Sequence, residues 1–137
     1  MKNLYSPYTA SNLIDGNTGT FAHTYNVTDG IWIRVNLAAI SQVYKIEIWN
    51  RNDCCKNRII GMSVYIKNDE DDVKYCGNIL EESNKYELVC LAYGNVVELR
   101  KEGDASAQNI AEIKVWGFIL PGSNKFITFR NDKIQIK

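Results

Sequence analysis

The stretch Ile31-Trp32-Ile33-Arg34-Val35-Asn36-Leu37 decides the fold class, because an apolar residue occupies every second position. Side chains on a β-strand point alternately to opposite faces, so the isoleucines, Val35 and Leu37 share one face. The other face carries Trp32, Arg34 and Asn36. This pattern predicts a strand with one buried face and one face towards solvent.

The same alternation recurs in short runs separated by clusters of Asn, Asp, Gly and Ser. Further strands are predicted at Val43–Trp49, Gly61–Ile66, Tyr86–Cys90, Asn95–Leu99 and Ile113–Gly117. Short helical turns are predicted only at Tyr8–Ile14 and Ala107–Ile110. Many short strands joined by turn signals are typical of an antiparallel β-sandwich or barrel, so the chain is predicted to be all-β.

The C-terminal residues 119–137 are predicted to form an extension to a domain that spans residues 1–118. Two short alternating runs, Lys125–Arg130 and Lys133–Lys137, flank the turn signal Asn131-Asp132. The extension is therefore expected to be a hairpin or a linker towards another domain.

Size and charge exclude several classes of function. The chain has 137 residues, which suits one domain with a single core. Its 16 Lys and Arg residues balance 16 Asp and Glu residues, so nucleic acid is not an expected partner. No apolar run is long enough to span a bilayer, and direct membrane insertion is not expected. The start lacks the apolar stretch of a signal peptide, which suggests a cytosolic chain, a processed chain or a domain of a longer protein.

The four cysteines favour the processed chain or the excised domain. Cys76 and Cys90 bracket a polar stretch as a hairpin would, which predicts one cross-strand disulfide. Cys54 and Cys55 are then either two free thiols or bonded to each other. A zinc site is not expected, because no Cys-x-x-Cys pair exists and the single histidine, His23, lies far away in sequence.

No catalytic arrangement is visible in the sequence. One histidine provides one candidate general base, and no nucleophile motif accompanies it. The acidic runs Glu81-Glu82 and Asp69–Asp72 lack apolar neighbours that would raise a carboxyl pKa. The chain is therefore not expected to be an enzyme.

A dense polar cluster directly follows one predicted strand. Arg51 and Arg58 can direct their planar donor groups at one ligand rich in acceptors, while Asp53 holds one guanidinium in place. A bonded Cys54-Cys55 pair would add a rigid, weakly polar surface beside these donors. The combination suits a sugar, and the alternative is a surface ion-pair loop with free thiols.

Five segments, in this order, resemble the F-type lectins. They are Asp15-Gly16-Asn17, Ala22-His23-Thr24, Trp32–Leu37, Arg51–Arg58 and Ala111–Gly117. The resemblance covers roughly Asn3 to Phe118. It implies an eight-stranded, jelly-roll-like antiparallel β-sandwich of the discoidin or galactose-binding type, which binds L-fucose and fucosylated glycans without catalysis. A lectin module of this kind is expected to be secreted or extracellular. Because a single sugar buries few atoms, binding strength is expected to come from several sites, in a homo-oligomer or in tandem domains.

The resemblance further implies roles for individual residues. The implied sugar-binding set is His23, Arg51, Asp53, Cys54, Cys55 and Arg58. In that set Cys54 and Cys55 form a disulfide between adjacent residues that packs against the sugar ring. Cys76 and Cys90 correspond to a disulfide between neighbouring strands.

A structural Ca²⁺ beside the sugar site is also implied. Its expected ligands are Asn12, Asp15, Asn17, Thr20, Glu112 and the carbonyl of Ala111. Carboxylates combined with neutral oxygens are the ligands that Ca²⁺ prefers. Phe21 and Ala111 stand where some members of the family carry a disulfide, so packing is expected to replace that bond.

Two alternative functions remain open from the sequence. One is a discoidin-like adhesion or lipid-binding domain with a degenerate sugar site. The other is a carbohydrate-binding module of a larger glycosidase or toxin, with the C-terminal extension as its linker.

Overall fold

The computed structural model describes residues 10–24, 30–70, 72–103, 108–120, 126–128 and 131–136. The strands within these ranges are β1 (Ala22–His23), β2 (Ile31–Asn50), β3 (Ser63–Lys67), β4 (Val73–Asn78), β5 (Lys85–Lys101), β6 (Asn109–Ile119), β7 (Phe126–Thr128) and β8 (Asn131–Ile136). Two short 3-10 helices, η1 (Ala10–Ile14) and η2 (Lys56–Ile59), complete the described elements. The prediction of an all-β antiparallel sandwich is confirmed.

The strands follow the order β1-β6-β2-β5-β3-β4, with β7 added to β6 and β8 added to β2. All of these described pairings are antiparallel. Two long strands, β2 and β5, pair with each other along most of their lengths. They therefore form the spine of both layers.

β2 passes from one layer to the other without ending. Its register shifts between Asn36 and Ser41 and again between Val43 and Lys45, and these irregularities bend the strand. The first half pairs with β8 and with the end of β5, whereas the second half pairs with β6 and with the start of β5. The predicted strands Ile31–Leu37 and Val43–Trp49 are thus two halves of one strand of 20 residues.

β5 makes the same crossing in the opposite direction. The predicted strands Tyr86–Cys90 and Asn95–Leu99 both belong to this strand of 17 residues. Gly94 lies at the crossing. A side chain would not fit there, since a Cβ atom would lie 2.5 Å from the backbone oxygen of Lys67. The first layer therefore holds β8, the first half of β2, the second half of β5, β3 and β4. The second layer holds the remaining halves with β1, β6 and β7.

Both ends of β2 lie at the same end of the sandwich. Ile31, where β2 begins, is paired with Lys101 at the end of β5. The Nζ atom of Lys101 donates a hydrogen bond to the backbone oxygen of Arg58, 3.3 Å away, in the segment that follows the last residue of β2. We call this end, which carries residues 51–61, the loop end.

The core lies between the two layers and is almost entirely aliphatic. Its fully buried side chains include Leu13, Ile31, Ile33, Ile46, Ile48, Ile59, Met62, Ile66, Leu99, Ile110 and Ile113. Most of them occupy alternating positions of the strands, as the sequence pattern predicted, whereas Leu13, Ile59 and Met62 come from η1, η2 and the turn before β3. Among the described residues, no helix is long and apolar enough to cross a membrane.

One local prediction is wrong, and another is confirmed in part. Asn109 and Ile110 open β6 instead of forming a helical turn, because their side chains are buried between neighbouring strands; Ala107 lies outside the described residues. The predicted cross-strand disulfide between Cys76 and Cys90 is confirmed, with an S–S distance of 2.06 Å, but the strands that carry the two cysteines do not form a hairpin. Cys76 lies on β4 in the first layer, whereas Cys90 lies in the half of β5 that belongs to the second layer, so the bond joins the two layers.

Other predictions near the termini are confirmed in part. η1 covers Ala10–Ile14, and the remainder of the predicted turn at residues 8 and 9 lies outside the described residues. In the C-terminal extension, Asn131 and Asp132 begin β8 instead of forming a turn. The two strands of the extension pair with different partners, β7 with β6 and β8 with β2. The domain boundary at residue 118 stays a prediction.

Candidate functional site

One buried amide fixes the loop that follows β2. Asn50, the last residue of β2, is only 2% exposed. Its Nδ2 atom donates to the backbone oxygens of Lys56 (2.9 Å) and Ser83 (3.1 Å). Its Oδ1 atom accepts a hydrogen bond from the backbone N–H of Arg51 at 2.9 Å. Both ends of the segment from Arg51 to Lys56 are therefore held by a single side chain.

The two adjacent cysteines are bonded to each other, so the free-thiol alternative is wrong. The Cα atoms of Cys54 and Cys55 lie 3.8 Å apart, and no described cysteine is free. Cys55 has a φ of 63°, in the left-handed region that non-glycine residues rarely adopt. Its backbone oxygen accepts a hydrogen bond from the N–H of Arg58 at 3.2 Å, which starts η2. The loop thus turns sharply and leaves Cys54 exposed.

His23 and Arg58 come together from separate parts of the chain. The NH1 group of Arg58 lies 3.2 Å from the Nε2 atom of His23. Guanidinium groups only donate hydrogen bonds, so Nε2 accepts and the proton of the neutral ring belongs on Nδ1. Burial and the positive charges of Arg58 and Arg51 lower the pKa of His23, against a smaller opposing effect of a backbone hydrogen bond at Thr24. The imidazole is therefore kept neutral.

Arg51 is oriented from two sides. Its Nε and NH2 atoms donate to the two carboxylate oxygens of Asp53, at 2.5 and 3.1 Å. This hydrogen bonding lowers the pKa of the exposed Asp53 carboxyl, which stays ionised. The guanidinium carbon also lies 4.0 Å from the centre of the Phe21 ring, in cation–π contact. The side chain of Arg51 is consequently only 17% exposed.

The structure brings all six residues of the predicted sugar-binding set to the loop end. Two guanidinium groups surround a neutral imidazole, and an exposed disulfide adjoins them. Directional donors beside a weakly polar surface can hold a small polyhydroxylated ligand. Sequence reasoning missed two residues that shape this site, Asn50 and Phe21. A buried asparagine at a strand end resembles an ordinary turn residue, and the contact of Phe21 with Arg51 joins residues far apart in sequence.

Part of the predicted calcium set is brought together around the carboxylates of Asp15 and Glu112. Asp15 accepts hydrogen bonds from the backbone of Asn17 (2.9 Å) and from the hydroxyl of Thr20. Glu112 is 1% exposed, and burial first and the neighbouring Asp15 carboxylate second raise its pKa to about 7. Asn12 instead donates from Nδ2 to the backbone oxygen of Phe21 at 3.0 Å.

The meeting of these two carboxylates is the feature that fits a cation. The Oε2 atom of Glu112 is buried without a hydrogen-bond partner among the described residues. A divalent cation would satisfy this oxygen and offset the repulsion from Asp15. Across the described ranges, no group of three or more His, Cys, Asp or Glu side chains could hold a metal ion. A cation here would therefore need neutral oxygens, which Asn17, Thr20 and the Ala111 carbonyl could supply.

Comparison with known proteins gives a consistent picture. The sequence pattern of the family described as NedA-like, galactose-binding domain matches residues 12–108. Fucolectin-3 from Anguilla japonica is 40% identical over 63 residues, which cover 42% of this chain and 34% of the relative. Fucolectin-4 from the same organism is 38% identical over 63 residues. The match thus spans about a third of the length of these curated relatives.

Solved structures share the fold. An F-lectin (fucolectin) from striped bass serum superposes with a TM-score of 0.73 at 25% identity, covering 88% of this chain and 46% of that chain. The lectin domain of lectinolysin, solved with Lewis b antigen, gives a TM-score of 0.71 at 21% identity and covers 88% of this chain and 90% of that one. The family pattern covers most of this chain, and the resemblance to the F-type lectins is confirmed. The chain therefore belongs to the NedA-like galactose-binding domain family, with the F-type lectins as its relatives.

Proposed function

We propose that this chain is a lectin module that binds L-fucose and fucosylated glycans at the loop end, without catalysis. The observation that carries the proposal is the arrangement of Arg51 and Arg58 around the neutral imidazole of His23, beside the exposed Cys54–Cys55 disulfide. The names of the fucolectins and of the Lewis b complex support the choice of fucose as the sugar.

The chemistry of L-fucose matches this arrangement. The sugar presents an axial 4-hydroxyl, an equatorial 3-hydroxyl, a ring oxygen and a methyl group. Arg51 and Arg58 can donate charge-assisted hydrogen bonds to these oxygens. The Nε2 atom of His23 can accept a hydrogen bond from a sugar hydroxyl in place of the one from Arg58. The disulfide offers a surface for the methyl group and the C–H face. A wrongly oriented hydroxyl would leave a desolvated donor unpaired, at a cost of about 1–3 kcal/mol.

We further propose that Ca²⁺ is held beside this site by Asp15 and Glu112. The remaining ligands would be neutral oxygens from among Asn12, Asn17, Thr20 and Ala111. The buried, unpartnered Oε2 atom of Glu112 supports this proposal. Bound Ca²⁺ would supply charge compensation and would fix the segment that leads into β1. The chain's own residues would make every contact with the sugar.

The cellular context is also a proposal. Two disulfides favour an oxidising environment, which supports a secreted or extracellular protein. A single monosaccharide buries few atoms, so strong binding would come from several sites in a homo-oligomer or in tandem domains. The lectin domain of lectinolysin, with the same fold, also supports the second candidate, a carbohydrate-binding module of a larger protein.

Isothermal titration with L-fucose and D-glucose tests the sugar site. We expect Arg51→Ala and Arg58→Ala each to abolish measurable L-fucose binding, because each removes several donors from the ligand. The matched control is Lys56→Ala, which removes a positive charge from the same loop and should bind L-fucose as the parent does. The proposal fails if either arginine variant keeps the parent's affinity, or if the parent shows no preference for L-fucose over D-glucose.

A further inference from the structure

The outer face of the first layer carries a row of polar and aromatic side chains that the proposed sugar site does not use. Strand register places Trp32 of β2, Arg100 of β5 and Ser63 of β3 side by side. Two residues further along each strand, on the same face, Glu98 of β5 is paired with Tyr65 of β3. These positions alternate with buried core residues, so the row faces away from the core.

Two clefts adjoin this row at the loop end. One, of about 450 Å³, is lined by Gly30, Ile31, Trp32, Arg100, Lys101, Glu102 and Gly103. The other, of about 420 Å³, is lined by Gly61, Ser63, Tyr65, Arg100, Lys101 and Glu102. Both clefts are bordered by Arg100, Lys101 and Glu102, so they lie on the two sides of the end of β5, one towards β2 and the other towards β3. We call the two clefts together the strand cleft.

A buried carboxylate positions Arg100. The side chain of Glu98 is fully buried, and it accepts hydrogen bonds from Arg100 (Nε to Oε1, 2.9 Å) and from Arg34 (Nε to Oε2, 2.5 Å). Lys67 approaches the same carboxylate at 3.4 Å. Burial alone would raise the pKa of Glu98, but these hydrogen bonds and charges lower it overall. Three cations thus surround one ionised carboxylate, and a second carboxylate, that of the exposed Glu102, lies 4.0 Å from the NH1 group of Arg100. With Lys101, which also lines both clefts, the positive charges on this face still outnumber the negative ones.

Aromatic rings lie at both ends of the strand cleft. The guanidinium carbon of Arg34 lies 3.9 Å from the Trp32 ring centre, which holds the indole against the sheet. The guanidinium carbon of Arg100 lies 5.1 Å from the Tyr65 ring centre. Aromatic faces pack against the C–H faces of sugar rings, and a guanidinium pairs with planar carboxylate or sulfate groups. The cleft therefore combines a stacking surface with a fixed cation.

The strand cleft and the proposed fucose site share a wall. Lys101 lines the cleft, and its Nζ atom donates to the backbone oxygen of Arg58. The aliphatic part of the Lys101 side chain also packs against Gly61, where a Cβ atom would lie 3.3 Å from its Cε atom. A side chain larger than glycine at position 61 would crowd this wall. The two regions thus open at the same end of the sandwich.

We propose that the strand cleft is a second glycan-binding site, which takes a sugar residue bearing a carboxylate or a sulfate group. The proposal rests on the proposed glycan-binding function of the chain. Arg100 pairs with the anionic group, Trp32 and Tyr65 pack against sugar rings, and Lys101 separates this ligand from the one bound beside Arg58.

Nuclear magnetic resonance titration of the whole chain tests this site with three probes: 3′-sialyllactose, 3′-sulfogalactose and neutral lactose. We expect the Trp32 indole signal and the backbone signals of Arg100 and Lys101 to shift on addition of at least one acidic probe. The Kd of that probe should be at least fivefold lower than the Kd of lactose. The responding probe identifies the anionic group as carboxylate, sulfate or both. The proposal is overturned if neither acidic probe binds more tightly than lactose.

Variants separate a built site from general attraction of anions. Arg100→Gln should weaken binding of the acidic probe at least fivefold, whereas Lys67→Gln should weaken its binding less than twofold. Lys67 is the matched control, because it carries the same charge and contacts the same Glu98 carboxylate but does not line either cleft. Equal losses in the two variants would reduce the effect to general charge attraction and would refute the proposal.

A parallel L-fucose titration distinguishes the two proposed sites. Loss of fucose binding in Arg58→Ala, with the acidic probe still bound, would support two separate sites. If Arg58→Ala abolishes binding of the acidic probe as well, the strand cleft is not its site. If L-fucose fails to bind the parent while the acidic probe shifts Trp32, the proposed fucose site fails and the strand cleft stands.

Discussion

Asn50→Ala should loosen the whole loop that carries the proposed sugar site. The substitution removes two hydrogen bonds donated to the backbone oxygens of Lys56 and Ser83 and one accepted from the backbone of Arg51. The amide is 2% exposed, so water cannot replace it without a rearrangement. The loop would then lose its attachment to the end of β2 and to the segment around Ser83.

The size of the effect follows from these three bonds. An intramolecular hydrogen bond contributes about 0.5–1.5 kcal/mol to stability, and unpaired buried partners add to the loss. The two carbonyls that lose their donor belong to half-buried residues, so water compensates in part. We expect a loss of roughly 2–3 kcal/mol in the free energy of unfolding, which corresponds to a fall in Tm of roughly 6–15 °C for a domain of this size.

Thermal unfolding and fucose titration measure the two consequences. The matched control is Asn52→Ala, which removes the same group from an exposed position in the same loop and should change Tm by about 1 °C or less. Asn50→Ala should also weaken L-fucose binding by roughly fivefold or more, because the loop must be ordered on binding. Equal Tm values for the two variants would refute the structural role of Asn50.

Three further predictions concern the same end of the molecule. Replacing Cys54 and Cys55 together by serine should weaken L-fucose binding by about 1–2 kcal/mol through loss of an apolar contact and of loop rigidity; unchanged affinity in a folded double variant would exclude that contact. Added Ca²⁺ should raise the Tm of the parent and EDTA should reverse the rise, while Glu112→Gln should reduce the response; a Tm indifferent to both additions would exclude the cation. Because the pKa of His23 is lowered on folding, the unfolded chain takes up a proton first as the pH falls through about 6.5. This proton uptake destabilises the fold on acidification, whereas Glu112, whose pKa is raised to about 7 in the fold, acts in the opposite direction. Relative to the parent, His23→Gln should therefore lose less stability, or gain more, as the pH falls through about 6.5, and identical pH profiles for the two proteins would contradict this.

Strand positions could be predicted from alternation, but strand continuity could not. Alternation reports which face is buried, and it holds on both sides of the bends in β2 and β5. At the bends themselves, register shifts leave a run such as Ala38-Ala39-Ile40 without a strict period. β4 escaped prediction for a different reason. The side chains of Val73–Asn78 are mostly exposed, so this strand has no buried face that would require an alternation of apolar and polar residues.

The candidate site shows a similar division. The arginines, Asp53 and the two cysteines are neighbours in sequence, so their convergence could be predicted from one short segment. Phe21 and Asn50 act through contacts with residues that the chain brings close only on folding. The strand cleft needs three strands side by side, and strand register cannot be read from a single alternating pattern.

The bends in β2 have a practical consequence for handling the protein. Because the strand starts and finishes at the loop end, its middle lies at the far end, where Ala38 is exposed. A tether attached to that position would hold the molecule by the end remote from Arg58 and the strand cleft. Molecules immobilised in this way on a sensor chip or a bead would all present the proposed binding sites outward, so neighbouring copies would be oriented to engage one branched glycan together if those sites bind sugars.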